Sequence, residues 1–319
     1  MQGLIVAIVW LAGVAALAAP QSARVALSGP LAEWKSEIES LGPHRILLAR
    51  VYYDTVRRGF RLPQDAPERP LIVESLRDPN FLKQFAAMHA ATVRHKQDGR
   101  TLHIILLNMG RQAEWDGHEE VLIAQELGRV WLYANNYAEP AYDGTEQACL
   151  GIQAADLLQR RIIRRELRRR GFDFDAYWTP LLEAALERME KAEVRPAEEI
   201  PTCELMSKLV LWVDVRLGAT DRPWPHQERF LRALRRLYPI LERTAGDLYR
   251  ELAPLELDRD RQTYERALQT VLHTMYGFVR LVLKRSSIRY ELETIPPSRK
   301  PPGNKPEVPP LPDSAPAGP

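Results

Sequence analysis

Ile123-Ala124-Gln125-Glu126-Leu127-Gly128-Arg129-Val130-Trp131 decides the reading of this chain. With Val121, Leu122 and Leu132 around it, the stretch reads as a strongly apolar helix carrying three polar side chains, Gln125, Glu126 and Arg129. Polar groups in so apolar a helix are expected to be at least partly buried, and a buried charge without a partner is costly. Each of the three is therefore expected to be paired. Gly128 in a helix interior costs about 1 kcal/mol relative to Ala, a cost that close packing of a neighbour offsets.

With His in place of Gln125 and of Arg129, the stretch would read Ala-His-Glu-Leu-Gly-His-Val. It resembles the H-E-x-x-H helix of the zinc metallopeptidases, the zincins, over Ala124, Glu126, Leu127, Gly128 and Val130. In that family the two His grip one zinc ion from one helical face, and the Glu polarises the bound water. The resemblance implies that Glu126 keeps the base position as a vestige. Both ligand positions are lost, because Gln is a poor zinc ligand and Arg is a cation that repels zinc. No metal and no cofactor is expected. The resemblance also implies a degenerate site made of Gln125, Arg129, Glu146 and Asp156. There the Arg129 guanidinium stands where the ion would sit, paired with Glu126 and with a carboxylate of the next helix, Glu146 or Asp156.

The surrounding pattern is mixed before residue 117 and helical after it. Helices are expected over residues 32–40 and 80–96, the latter started by Asp78-Pro79 and stopped near Asp98-Gly99. Strands are expected over residues 45–53 and 101–108, the second a near-continuous apolar run suited to a buried position. A strand, a loop and then the helix of residues 119–135 is the order that zincins use. Further helices are expected over residues 145–170, 176–192, 203–217, 225–252 and 259–284, the last two as a hairpin. The fold expected is α+β and predominantly helical. A zincin-like core with a small N-terminal α/β portion occupies residues 24–192, and a helical C-terminal region occupies residues 193–290.

Residues 4–19 form an apolar run of 16 residues with no charge, ending in Ala16-Leu17-Ala18-Ala19. A spanning helix needs roughly 20 residues. A signal peptide over residues 1–18 is expected rather than an anchor, and with it export to a periplasm or beyond. Met1-Gln2-Gly3 lacks the usual basic residue. In an oxidising compartment the two cysteines, Cys149 and Cys203, are candidates for one disulfide, two buried thiols being the alternative. Residues 296–319 hold 10 of the 25 prolines and read as a disordered or polyproline-like tail.

The formal charge of +2 gives no whole-protein argument for a nucleic-acid partner, and export argues against one. Residues 159–171 carry seven arginines interleaved with Leu158, Ile162, Ile163 and Leu167. This amphipathic pattern offers Arg160, Arg164 and Arg168 to an anionic surface, or a solvated face paired locally with acids such as Glu166. Asp175 is placed to cap the helix that follows Gly171. Asp173 and Asp175 lack the further ligands of a calcium loop. Tyr177-Trp178 reads as core, and Pro223-Trp224-Pro225 as a loop leading into a helix. His118 reads as a surface residue at a helix N-terminus. His44, His89, His95, His103, His226 and His273 show no ligand spacing. No Gly-rich phosphate loop, Gly-x-Ser-x-Gly motif or thiol nucleophile is supported. The function expected is that of an exported, catalytically inactive metallopeptidase homologue acting as a binding or structural protein, with an unknown protein or cell-envelope partner. The alternatives are a helical envelope scaffold without peptidase ancestry, and a hydrolase using Glu126 with a non-standard ligand set.

Overall fold

The computed structural model describes residues 25, 27, 29–54, 59–139, 145–220, 222–258 and 260–284. The expected leader and Pro-rich tail lie outside the described residues. The chain is α+β and mostly helical. It divides into two compact units, Met1–Asn136 with Ile163–Leu181, and Tyr137–Ile162 with Leu182–Pro319. The boundary expected at residue 192 does not coincide with this division.

The first unit is built on a four-stranded sheet of order β2-β1-β4-β3. Helix α1 (Gly29–Ser40) buries Leu31, Trp34 and Ile38 on one stripe. It leads into β1 (His44–Asp54) and the short β2 (Gly59–Arg61). Helices α2 (Arg69–Arg77) and α3 (Pro79–Phe85) follow, then β3 (Ala90–Gln97) and β4 (Arg100–Asn108). Strand β1 pairs parallel to β4, whereas β3 pairs antiparallel to it and forms one edge. The apolar run of β4 takes the centre, with residues 102–107 all buried. Leu102, Ile104 and Leu106 share one face with Ala49, Val51, Ala91 and Val93, against Ile72, Leu76 and Phe85 of α2 and α3. Side-chain alternation sends the other set, including His44, Ile46, Leu48, Thr92, Arg94, His103 and Ile105, to the opposite face. There α1 and α4 (Glu119–Ala134) pack.

The helix expected over residues 80–96 is corrected: it stops at Phe85, and β3 begins at Ala90. Asp98-Gly99, expected as a helix stop, is a two-residue hairpin turn between Gln97 and Arg100, with φ of 50° and 74°. Positive φ at both central residues is the primed turn whose twist suits a hairpin, and Asp-Gly favours it. The β-branched Thr92-Val93 pair then alternates across the sheet instead of winding into a helix. Helix α2 and strand β2 were not anticipated. The hydroxyl of Ser75 on α2 lies 3.0 Å from His95 Nε2 on β3.

Helix α5 (Thr145–Arg169) ends at Gly171, whose φ is 81°. The Phe172 amide bonds the Leu167 carbonyl at 3.0 Å and the Gly171 amide the Arg168 carbonyl at 3.0 Å, the pairing that satisfies the last carbonyls of a helix. Helix α6 (Phe174–Lys191) follows. Its cap is Asp173, whose carboxylate accepts the Ala176 amide at 3.1 Å. The cap expected at Asp175 is thus corrected: Asp175 already lies in the first turn and is buried.

The second unit holds the start of α5 and the end of α6 with α7 (Thr202–Arg216), α8 (Gln227–Leu237), α9 (Glu242–Leu252) and α10 (Arg261–Gly277). The single helix expected over residues 225–252 is two helices. Pro239 has no amide hydrogen and clashes with the preceding turn, so Tyr238 leaves helical geometry at φ −133° and a short 3-10 turn over Pro239–Leu241 intervenes. Helix α10 is capped by Asp260, which accepts the Thr263 amide at 2.7 Å, and ends in a π-turn over Phe278–Val282. A disulfide joins Cys149 on α5 to Cys203 on α7. Arginines complete the helix ends: Arg161 donates to the Leu252 carbonyl of α9, and Arg236 to the carbonyls of Met189 and Ala192 at the end of α6.

Candidate functional site

The site begins at the end of β4. Asn108 is fully buried there, and its amide donates to the carbonyls of Phe85 and Met88 while its oxygen accepts the Gly110 amide. A Cβ on Gly110 would stand 2.2 Å from the Tyr53 carbonyl oxygen, so only glycine lets the chain pass here. The loop then turns into α4, which opens at His118 with Glu119 and Glu120 in its first turn, a favourable sign at a helix N-terminus. Glu119 is held by Arg50 at 2.8 Å.

Three contacts line up along helix α4 and edge strand β3, the first between the residues just ahead of each, through Tyr177 of α6. At the first, His118 and His89 both pack against the Tyr177 ring, with His89 Nδ1 2.7 Å from the Tyr177 hydroxyl. His89 Nε2 lies 3.3 Å from Glu114, which Arg111 also engages. Burial holds the His89 imidazole below its usual proton affinity. At the second, the Thr92 hydroxyl donates to Glu126 Oε2 at 2.8 Å. At the third, the Arg94 guanidinium lies over the Tyr133 ring, 4.4 Å from its centroid. A groove of about 540 Å³ follows this edge, lined by Ser75, Asp78, Phe81, Thr92, Arg94 and Tyr133 among others.

Glu126 is only 4% exposed. Its second oxygen, Oε1, lies 3.3 Å from Arg129 Nε, so the pairing of Glu126 with Arg129 is present in the structure. Gln125 is half-buried on the same helix. Asp156 salt-bridges Arg160 at 3.1 Å along α5. The Glu146 side chain lies outside the described residues. Gly128 sits where α4 meets α5: a Cβ there would lie 2.7 Å from Ile163 Cγ2.

This arrangement does not suit a zinc ion. A zinc site needs three protein donors of His, Cys or carboxylate type. Gln125 is a poor zinc donor and Arg129 is a cation, and the Glu126 carboxylate is engaged at both oxygens. Among the described residues no group of three or more His, Cys, Asp or Glu is gathered to hold an ion. Chemically, the site is a buried carboxylate held by a hydroxyl and a guanidinium beside an open groove.

The arginine run does not present one continuous basic face. Arg164 is 6% exposed, Arg160 is paired with Asp156, and Arg170 binds Glu166 and Glu37 while covering the Trp34 ring. Arg165, Arg168 and Arg169 are exposed, the last beside Glu166. Of Arg160, Arg164 and Arg168, which the sequence offers to an anionic surface, only Arg168 is exposed, Arg164 being buried and Arg160 half-buried. Tyr177 is buried, Trp178 and Phe174 stack on each other and meet its ring at an angle, and Trp224 is buried ahead of α8 against Phe230.

Thr92 and Tyr133 escaped the sequence reading. Thr92 fell inside an expected helix, and the Asp-Gly turn was the signal that would have placed it on a strand. No helix among the described residues is long and apolar enough to cross a membrane. No protein-family model, curated protein or solved structure matches this chain.

Proposed function

We propose that this chain is an exported, catalytically inactive homologue of zinc metallopeptidases that acts by binding a protein or cell-envelope partner. The observation that carries this reading is the state of Glu126. In a zincin the base must accept a proton from a metal-bound water. Here the corresponding carboxylate has both oxygens occupied, by Thr92 and by Arg129, the residue in the second ligand place. A cation in the ligand place neutralises the carboxylate as a metal would, without supplying a Lewis acid. Further support comes from the strand, loop and helix order at the site, and from the groove beside edge strand β3. Export is supported by the uncharged apolar run at residues 4–19 and by the Cys149–Cys203 bridge, since bridges persist in oxidising compartments.

The test is the metal content and peptidase activity of the mature chain, purified without a metal-binding tag, beside the Gln125→His/Arg129→His double variant. The wild-type chain is expected to carry no stoichiometric zinc, and the double variant to gain zinc affinity. Stoichiometric zinc in the wild-type chain, or a peptidase activity that Glu126→Gln abolishes, overturns the reading in favour of an active hydrolase. A double variant that folds and gains no zinc affinity counts against zincin ancestry and favours a scaffold.

A further inference from the structure

Two histidines meet on the α4 face of the sheet. His44 opens β1 and His103 lies within β4, and His103 Nε2 is 3.2 Å from His44 Nδ1. Tyr133, in the last turn of α4, closes over both, with ring centroids 5.3 Å from His103 and 6.0 Å from His44 in edge-on geometry. His103 is fully buried and its Nδ1 has no hydrogen-bond partner. His44 is half-buried.

The hydrogen bond of this pair needs one N–H and one lone pair. A first proton, taken by the more exposed His44, leaves a donor on His44 and an acceptor on His103. A second proton puts N–H groups on both facing nitrogens and two cations side by side, one of them fully buried. Arg94 of β3, opposite His103 in the strand register and lying over Tyr133, adds a third positive charge. From α1, the Glu39 carboxylate is already engaged by the Ile46 amide and by Lys35. Burial first, then His44 and Arg94, hold the proton affinity of His103 down to about 4. Burial also lowers that of His44.

We infer that His44, His103 and Tyr133 form an acid-sensitive latch that fastens the last turn of α4 to the sheet and releases it on acidification. A doubly protonated pair loses its bond, and the buried His103 cation gains hydration when Tyr133, the ring packed against it, lifts. Tyr133 is also a wall of the groove beside β3, so release of the latch reshapes that groove. The sign follows from linkage. The His103 proton affinity is lower in the folded chain than the ordinary 6.5, so the latch is intact above about pH 6.5 and weakens as pH falls toward 4. The latch rests on the fold alone and stands whether or not the chain descends from peptidases.

The experiment is amide hydrogen exchange of the full chain, corrected for intrinsic rates, with His ring proton shifts followed by NMR. Between about pH 7 and about pH 4, amides of residues 130–134 are expected to lose protection about tenfold or more relative to residues 122–127. In His103→Phe, which fills the site with a ring that cannot be protonated, the difference should vanish. No differential loss in the wild-type chain overturns the latch, and so does an equal loss in His103→Phe. Should that variant fail to fold, the wild-type ring titration decides. A His103 midpoint well below 6.5 that coincides with the loss of protection supports the latch, and a midpoint at the ordinary value overturns it.

Discussion

Thr92, on the edge strand, gives its hydroxyl hydrogen to the buried carboxylate of Glu126 at 2.8 Å, fixing the middle of α4 to the sheet. Two residues 34 positions apart are thereby held in one rotameric arrangement. Thr92→Val keeps the side-chain shape and removes the donor, leaving a buried oxygen unbonded. The expected loss is about 1–3 kcal/mol. Arg129→Ala, which strips the other oxygen of its partner, is expected to cost a similar amount, the partial exposure of Arg129 keeping it below a fully buried pair. Exposed Arg232→Ala is the control and should stay within about 0.5 kcal/mol. Urea denaturation midpoints measure all three, and an unchanged midpoint for Arg129→Ala removes the pairing from the account of the site.

Gly128 is a contact residue rather than a catalytic one. Its hypothetical Cβ collides with Ile163, a β-branched side chain that is 2% exposed and has little freedom to move. Gly128→Ala gains about 1 kcal/mol of helix propensity and is expected to lose about 1–3 kcal/mol to overpacking, a net destabilisation. Ile163→Ala should make room. The double variant Gly128→Ala/Ile163→Ala is therefore expected to be less destabilised than the sum of the single changes. Strict additivity in the thermodynamic cycle would show that the two residues do not touch in solution.

The Cys149–Cys203 bridge joins two residues of the second unit that stand 54 positions apart, closing a loop that includes Ile163–Leu181 of the first unit. Closing a loop of that length restricts the unfolded chain by about 4 kcal/mol on the chain-entropy account. The Cys149→Ser/Cys203→Ser variant should thus melt markedly lower than the oxidised chain and near the reduced one. Thermal unfolding with and without reductant tests this. Equal melting temperatures would mean that the bridge contributes nothing.

Tyr264 is buried in the second unit, donating its hydroxyl to the Ala138 carbonyl at 3.2 Å and lying 3.4 Å from the Gln159 amide nitrogen. Tyr264→Phe leaves that carbonyl without its donor, at an expected cost of about 1–3 kcal/mol. Burial raises the phenol well above its ordinary value of 10.0. The folded state therefore holds this proton more tightly than the unfolded state. Stability from this group is complete below about pH 10 and declines as pH rises beyond it. Tyr264→Phe should flatten that alkaline decline in a series of melting curves.

Helix α4 and strand β4 were legible because each is long and strongly patterned, and periodicity is a local property. The partnership of Glu126 with Arg129 was legible for the same reason, since residues three apart on a helix are neighbours. Strand β3 was not, because residues 80–96 contain enough helix formers to hide an eight-residue strand whose fate depends on pairing with β4. The break at Pro239 was misread for a different reason: the flanking leucines keep helical spacing on both sides of it.

The sequence by itself determined the α+β class with its helical majority, the apolar character of α4, and which acid and base on that helix stand within reach of each other. These depend on residues within a few turns of one another. Only the tertiary structure decided that Thr92 binds Glu126, that Arg164 lies inside, that His44 and His103 share a bond under Tyr133, and that the cysteines meet. Each of these rests on pairs separated by tens of residues, where strand register and helix packing set the distance and the local pattern carries no record of it.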